Sequence, residues 1–242
     1  MNTYRCDFHI HSALSPCADI DMTPANIVAM AKLKGLDAIA ITDHQSCGNV
    51  LPAIYHGKKT GVQVIPGMEL ETAEEFHCVC LFPDYNKALK FEEIIRNSMP
   101  DISNSEEIFG QQWYFDENDI MIKQEERMLL VPACITFESA QKIVSDFDGI
   151  IIPAHINRNS YSILSVLGSI PPEYNGKCLE ISTDSKKNDI LKKHPELVKY
   201  KFITSSDAHY LKDISDDGYL VEIAQDNSFE SVISSIIHAL ID

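Results

Sequence analysis

Residues 6–12 read CDFHIHS, a stretch that predicts a strand with metal ligands on one side. Side chains two positions apart point to the same side of a strand, so Asp7, His9 and His11 face one way. Two imidazoles on one face can share a metal ion. Asp7 lies one step deeper, where it can orient an imidazole through its second ring nitrogen. The His-x-His pattern alone is weak evidence, because half-exposed strands carry it as well.

Further nitrogen and oxygen ligands lie beside other short apolar runs, in ITDH, IPGMELE, FHCVCLF, IIIPAHI and ITSSDAH. The carboxyl ends of the strands form the active-site face of α/β barrels, so ligands repeated at that position predict one shared site. Cys78 and Cys80 are interpreted as core thiols, because imidazoles and carboxylates already fill the shell. The candidate ligands of a polynuclear metal site are His9, His11, Asp19, His44, Glu69, His77, His155, Asp207 and His209.

Apolar runs alternate with helical patterns along the chain, which indicates βα units and a parallel sheet. Thr23 is a suitable N-cap and Pro24 suits a first helical position, so they predict a first helix that ends near Lys34. Further helices are expected at 86–97 and from Ser228 to the end, the last one packing on the outside of the sheet. The predicted strands are 4–9, 38–42, 63–66, 77–82, 150–153, 178–181, 202–204 and 219–223.

The stretch from residue 98 to about 130 is polar, acidic and weakly periodic. A structureless loop of that length is uncommon in a compact domain, so we expect a short hairpin around residues 112–115. The stretch is either a lid or a surface insertion. With no internal repeat or interdomain linker, residues 1–242 are expected to form a single domain that carries this insertion.

Composition narrows the class of protein. With 242 residues and 45% apolar composition the chain can bury one full core. The formal net charge of −16 opposes non-specific binding to nucleic acid, unless bound metals reverse the sign locally. No apolar stretch is long enough to span a membrane, and the amino terminus lacks a signal-peptide pattern, so a cytoplasmic protein is expected. The seven cysteines are expected to be free thiols.

Three histidines fall outside the pattern of ligands beside strands. His56 and His194 lie among lysines in helical or loop segments, so we expect both to be solvated. His238 falls in the predicted last helix and is expected to be an ordinary helix residue.

The motifs DFHIHS, TDH, PGMELE, PAHINR and SSDAH, in this order, resemble those of the polymerase and histidinol phosphatase (PHP) superfamily of metal-dependent phosphoesterases. The resemblance covers nearly the whole chain. It implies a distorted (β/α)7 barrel with two to three divalent ions at the carboxyl ends of the strands. Zinc, manganese and iron all suit nitrogen and oxygen ligands, so the motifs do not choose among them.

The resemblance also implies which residues hold each ion. One departure affects the third: members commonly show Ser, Asp and Gly shortly before the Thr-Pro that opens the first helix, whereas this chain reads SPCADIDMTP. Counting back from Thr23 selects Asp19, with Asp21 and Cys17 close enough to compete. Asp7 and Asp43 are candidates to orient the imidazoles from behind. The implied sets are His9, His11, Glu69 and Asp207 for the first ion, Glu69, His77 and His155 for the second, and Asp19, His44 and His209 for the third.

The charge balance of such a site favours phosphate esters. Three divalent ions would bring six positive charges against three negative ones from Asp19, Glu69 and Asp207, which leaves a cationic pocket. Metal binding lowers the pKa of water to about 7, so a metal-activated water can attack phosphorus without a side-chain nucleophile. Arg158, three residues after His155, is a candidate to bind a second anionic group of the substrate.

The predicted function is therefore hydrolysis of a phosphate monoester or small nucleotide phosphate, with a short single-stranded nucleic acid end as a variant. No membrane partner is expected. One alternative is a C–N hydrolase of the amidohydrolase type, whose sites often use a bridging lysine where this chain offers Glu69. Another is a non-catalytic, metal-stabilised binding module.

Overall fold

The computed structural model of the chain describes residues 1–182, 187–224 and 229–241. It is an α/β fold whose main sheet is strongly curled into a half-barrel. The strands are β1 (Asn2–Ile10), β2 (Ala38–Ile41), β3 (Gln63–Glu71), β4 (His77–Leu81), β5 (Trp113–Phe115), β6 (Met121–Gln124), β7 (Ile150–Pro153), β8 (Cys178–Ser182), β9 (Lys201–Ser205) and β10 (Tyr219–Ile223). The α-helices are α1 (Pro24–Leu33), α2 (Val50–Thr60), α3 (Tyr85–Ser98), α4 (Glu106–Phe109), α5 (Phe137–Asp146), α6 (Ile163–Leu167), α7 (Lys187–Lys193) and α8 (Phe229–Ile241).

The first βα unit follows the predicted pattern. The Thr23 hydroxyl caps α1 by accepting the Asn26 N–H at 3.3 Å, and Pro24 occupies the first turn. The helix ends just before Gly35, whose φ of +73° is the left-handed conformation that glycine tolerates best. The chain then returns as β2, parallel to β1, so the carboxyl ends of both strands lie at one edge.

The strand order in the main sheet is β10-β1-β2-β3-β4-β7. The parallel pair β8 and β9 completes the curl between β7 and β1. The Ile156 N–H donates to the Glu180 carbonyl at 2.9 Å, and the His11 N–H donates to the Ala208 carbonyl at 3.0 Å. The α/β class and the distorted barrel predicted from the sequence are confirmed.

Two strands break the expected parallel arrangement. β10 pairs antiparallel with β1, and β4 pairs antiparallel with both β3 and β7. Only a tight turn joins β3 to β4, with the Thr72 N–H donating to the Phe76 carbonyl at 3.1 Å and Glu75 at a φ of +66°. A connection this short can join only antiparallel neighbours. The amino end of β4 therefore lies at the same edge as the carboxyl ends of its neighbours.

The two faces of the sheet are covered differently. Helices α1, α2, α3 and α5 cover one face of the sheet and form a large apolar cluster with it. Helix α8 packs with the other face, where Val232, Ile236 and Leu240 join a second cluster that includes Phe8 and Ile65. The apolar stripe of α8 packs on the sheet as predicted, but on the face opposite to the one that α1, α2, α3 and α5 cover. Its predicted start at Ser228 lies outside the described residues.

The insertion from residue 98 to about 130 contains α4 and the expected hairpin, formed by β5 and β6. It packs on the loop that follows β1. The Trp113 N–H donates to the Ala13 carbonyl at 2.9 Å, and Asp119 accepts the Ala25 N–H at 3.0 Å. The insertion therefore packs against the loop after β1 and the start of α1.

All seven cysteines are free. Five are buried, whereas Cys17 and Cys134 are exposed. None of the described helices combines the length and the apolar composition that crossing a bilayer requires.

Candidate metal centre

The candidate ligands converge at one edge of the curled sheet, formed by the carboxyl ends of the parallel strands and the amino end of β4. His77 reaches this edge because β4 runs antiparallel, and not because it follows a strand as the sequence suggested. Tertiary structure thus gathers residues that are up to 200 positions apart. The residues are His9 in β1, His11 after it, His44 after β2, Glu69 in β3, His77 at the start of β4, His155 after β7, and Asp207 and His209 after β9.

Glu69 lies at the centre of the cluster. Its side chain is 1% exposed, and its two carboxylate oxygens lie 3.0 to 3.3 Å from nitrogens of five imidazoles. Two ligand groups meet at this carboxylate, and in each the donor atoms all lie within 4.8 Å of one another. A buried carboxylate among imidazoles is a donor set that fits divalent cations. The groups are His9, His11 and Glu69, and His44, Glu69 and His77.

Asp207 flanks the first group. Its Oδ1 lies 3.4 Å from His9 Nε2 and 3.2 Å from His11 Nε2. Asp207 has a φ of +51° and His155 a φ of +30°, conformations that non-glycine residues adopt at a cost of about 1 to 3 kcal/mol each. His155 Nδ1 is also buried without a hydrogen-bond partner. Strain and an unpaired nitrogen at two candidate ligands fit a site whose geometry serves a bound group.

Glu180, in β8, was missed by the sequence reasoning. It is buried, and its two carboxylate oxygens accept His9 Nδ1–H at 3.0 and 3.1 Å. Its Oε1 also accepts the backbone N–H of His155 at 3.1 Å. With a proton held on Nδ1, His9 turns Nε2 toward Glu69, and Nε2 is the nitrogen that binds a cation once its own proton is lost. The signal that could have identified Glu180 is a carboxylate inside the apolar run CLEIS, because a charged residue within a buried strand needs a polar partner on one face of the sheet.

His11 is oriented through a second relay. Its Nδ1 lies 3.0 Å from the Ser15 hydroxyl, which donates to Asp43 at 2.7 Å. Because the one hydroxyl proton of Ser15 goes to Asp43, the hydroxyl accepts from His11 Nδ1–H and leaves the Nε2 lone pair free. Asp43 also accepts the Ser12 N–H at 2.7 Å and the Ser12 hydroxyl at 2.6 Å. The candidate role of Asp43, orienting an imidazole from behind, thus has a specific path.

Asp7 has different partners from those expected. Its carboxylate accepts the backbone N–H groups of Ser206 at 3.0 Å and Ser215 at 3.1 Å, and it does not orient an imidazole. The pairing of β1 with β2 shifts register between Asp7 and Ile10, so the strict alternation assumed from the sequence breaks there. Asp7 instead ties the end of β1 to the loops after β9.

A third group of ligand atoms lies at the outer side of the cluster. It consists of His11, Cys17, His44 and His209, with all donor atoms within 4.8 Å of one another. The His11 ring stacks on that of His209, with 4.3 Å between centroids. Asp19, the expected third-ion ligand, is not in this group. Its Oδ1 accepts the Asp21 N–H at 2.9 Å, and Asp21 is exposed.

Arg158 lies at the mouth of the cluster. Its Nη2 is 2.6 Å from Asp207 Oδ2, and its side chain is 46% exposed. His238 is exposed, whereas His56 and His194 are both partly buried, so the expectation that these two are fully solvated does not hold. Cys78 and Cys80 are buried in the core.

Proton affinities in the cluster are strongly perturbed. Burial acts to raise the pKa of Glu69, but the charges of His77, His9 and His44 hold it well below its usual range. Burial acts to lower the pKa of His9, yet the carboxylates of Glu180, Glu69 and Asp207 raise it well above the ordinary value. Burial and the neighbouring His209 lower the pKa of His11 to about 4. Glu69 therefore stays ionised, and His11 stays neutral and able to bind a cation at physiological pH.

The chain matches a family of known domains and several relatives in sequence. The family model of the PHP domain matches residues 7–236. The protein MJ1587 of Methanocaldococcus jannaschii is 34% identical over 100 residues, which cover 38% of this chain and 58% of that protein. The PolC-type DNA polymerase III of Streptococcus mutans is 42% identical over 74 residues, 29% of this chain and 5% of the polymerase. The chain thus spans about half, or far less, of the length of these relatives.

Solved structures share the fold at low identity. Endonuclease Q of Pyrococcus furiosus has a TM-score of 0.65 at 22% identity, covering 98% of this chain and 56% of that one. An amidohydrolase of Chromobacterium violaceum has a TM-score of 0.59 at 18% identity, covering 91% and 92%. A protein of Bifidobacterium adolescentis, provisionally described as a metal-dependent phosphoesterase, has a TM-score of 0.61 at 15% identity, covering 98% and 96%. The family match spans residues 7–236, a range that includes the histidines and carboxylates clustered around Glu69; the chain belongs to the PHP domain family.

Proposed function

We propose that the chain is a metal-dependent phosphoesterase that hydrolyses a phosphate monoester or a small nucleotide phosphate. The observation that carries the proposal is the buried Glu69 carboxylate, surrounded by imidazoles within 3.0 to 3.3 Å. A bridging carboxylate lets two cations lie close enough to act on one phosphoryl group. In this proposal one ion takes His9, His11, Glu69 and Asp207, and a second takes Glu69, His77 and His155.

The residues behind the ligands support the same assignment. Glu180 and Ser15 hold protons on the far nitrogens of His9 and His11, so that the near nitrogens present lone pairs to the site. Such orienting partners raise ligand basicity and reduce the entropy lost on metal binding. A scaffold of this kind is costly to bury unless it holds cations, since unpaired buried charge is strongly unfavourable.

When bound, divalent ions lower the pKa of a water and polarise phosphoryl oxygens, which is the chemistry that phosphoester hydrolysis needs. The protein itself supplies orientation and specificity. Arg158, half-exposed at the mouth, can present two parallel N–H groups to a second anionic group of the substrate. Its contact with Asp207 holds it beside the first ligand group in the meantime.

Small substrates are favoured over duplex nucleic acid. The formal net charge of −16 disfavours a long phosphate backbone, whereas a small phosphate can enter a locally cationic pocket. Endonuclease Q shares the fold with this chain at 22% identity, and the polymerase shares a segment that covers 5% of its own length, so neither likeness carries a nucleic-acid substrate over to this chain. A short single-stranded end remains within the proposed substrate range.

The test is a metal-reconstituted screen. The chelated protein is reloaded with zinc, manganese or iron and assayed on an aryl phosphate, sugar phosphates, nucleotides, short oligonucleotides and amide substrates. We expect phosphate release that disappears on chelation and returns on reloading. Ammonia release without phosphate would replace the proposal with C–N hydrolysis, for which Glu69 stands where such sites often use lysine. Full metal loading without turnover of any of these substrates would instead favour a non-catalytic, metal-stabilised binding module.

A further inference from the structure

The loop after β1 brings a thiol into the outer ligand group. Cys17 Sγ lies within 4.8 Å of ligand atoms of His44, His209 and His11, and Cys17 is exposed to solvent. His11 uses one nitrogen for Ser15 and turns the other toward Glu69 and Asp207. His44 Nδ1 also lies 3.1 Å from Glu69 Oε2, but the two ions of the proposed function take their ligands without His44, so Cys17, His44 and His209 remain as three protein ligands with one open position.

We propose that Cys17 is the thiolate ligand of a third cation, held with His44 and His209, and that this position selects a borderline-soft ion such as zinc or ferrous iron over manganese. This inference rests on the proposed function, since it concerns the same metal centre. Sulfur and imidazole ligands favour zinc and iron, whereas manganese and magnesium favour oxygen. An Asp ligand at this position would have no such preference.

Asp19 is engaged elsewhere. Its carboxylate accepts the Asp21 N–H at 2.9 Å, and its carbonyl accepts the Met22 N–H at 3.0 Å. Its own N–H donates to the His209 carbonyl at 2.9 Å, which ties the loop to the segment that carries His209. Asp19 therefore shapes the turn that presents Cys17, two residues earlier.

The turn that carries Cys17 is supported from both sides. Within it, the Ser15 N–H donates to the Ser12 carbonyl at 2.9 Å and the Ala18 N–H to the Ser15 carbonyl at 3.0 Å. Across it, the insertion approaches so closely that a Cβ at Gly110 would lie 2.2 Å from the Pro16 carbonyl oxygen. A ligand presented by a turn held in this way pays little ordering entropy when it binds a cation.

Cobalt reports the thiolate directly. The full chain is stripped, reloaded with cobalt to saturation, and examined for the thiolate-to-cobalt charge-transfer absorption, with cobalt per chain counted in parallel. We expect the wild type to show the band. Cys17→Ser should lose the band and bind about one cobalt ion per chain fewer than the wild type. Cys134→Ser, at the other exposed cysteine, and Asp19→Asn should keep the band and the full cobalt content. Cys17→Asp should restore the third ion without the band and accept manganese there.

Three results would overturn the inference. The band could be absent from fully loaded wild type, Asp19→Asn could lose an ion while Cys17→Ser kept all of them, or Cys17→Asp could leave metal preference unchanged. If the wild type bound two ions, showed no band and still hydrolysed phosphate esters, the thiolate site would fail while the proposed function stood. Protein that took up no cobalt at all would refute both.

Discussion

Glu180→Gln tests whether an orienting carboxylate controls the metal centre. A glutamine carbonyl can take the place of Oε1 and accept from both His9 Nδ1–H and the His155 N–H, which lie 3.0 and 3.1 Å away. Its amide NH2 then takes the place of Oε2, 3.1 Å from His9 Nδ1, where two donors would face each other. The conflict is relieved if His9 moves its proton to Nε2, which removes the lone pair that faces Glu69.

The expected magnitude follows from that tautomer change. Loss of an orienting partner behind a metal-ligating histidine costs about 10- to 100-fold in metal affinity or activity. This corresponds to about 1.4 to 2.7 kcal/mol of binding free energy. The fold should tolerate the substitution, because the two side chains have nearly the same shape and one accepting oxygen is kept.

The assay is competition for zinc or cobalt against a chromophoric chelator, with kcat/KM on an aryl phosphate measured in parallel. Glu222→Gln is the matched control, since it makes the same change at an exposed strand position. If Glu180→Gln bound metal with the affinity of the wild type and of Glu222→Gln, the argument that Glu180 sets the His9 tautomer would be refuted.

Three further predictions address the ligands, the substrate and the protons. Glu69→Ala should lose more than about 100-fold of activity together with metal, more than any orienting residue, because Glu69 contacts both ligand groups; near-normal turnover at full metal content would contradict it. Arg158→Ala should leave metal content unchanged and lower kcat/KM by about 10- to 100-fold on substrates with a second anionic group, and Arg158→Lys should recover part of the loss. Equal kinetics of wild type and Arg158→Ala on all anionic substrates would mean that Arg158 does not bind substrate. Metal binding should release protons and weaken as pH falls, because carboxylates raise the pKa of His9 and of His77 against the opposing effect of burial, and both rings must lose a proton to bind. The same raised pKa values stabilise the metal-free fold below about pH 6.5, and this contribution is lost as pH rises through them. If calorimetry showed no proton release on metal binding and equal affinity at about pH 6 and pH 8, this assignment would be refuted.

The sequence predicted the candidate ligands where the same residue types recur beside apolar runs. It did not predict strand direction or the face to which a side chain points. Histidines beside apolar runs marked the edge of the sheet, because ligand side chains need a strand end to reach a shared site. His77 was found for the wrong reason, since an apolar run has no direction and only the short turn before it makes β4 antiparallel. Glu180 was not found, because alternation in CLEIS does not say which face looks into the barrel.

The loop after β1 shows the same division. Counting from Thr23 selected Asp19, but the turns at Ser15 and Asp19 decide which side chain faces the histidines, and that is Cys17. Likewise, Asp7 was expected beside His9 from strict alternation, and a register shift in β1 turned it toward other partners. Local hydrogen bonds of this kind leave little trace in residue types.

The contact between Gly110 and Pro16 affects the design of shortened variants that lack the insertion. The polar stretch around it resembles a dispensable surface loop, of the kind that is usually trimmed to improve crystals or expression. Here its backbone is wedged against the turn that presents Cys17, and Trp113 holds Ala13 a few residues earlier. Trimming would therefore remove backbone contacts that hold the loop carrying Cys17, so metal binding measured on a shortened protein would not describe the native loop.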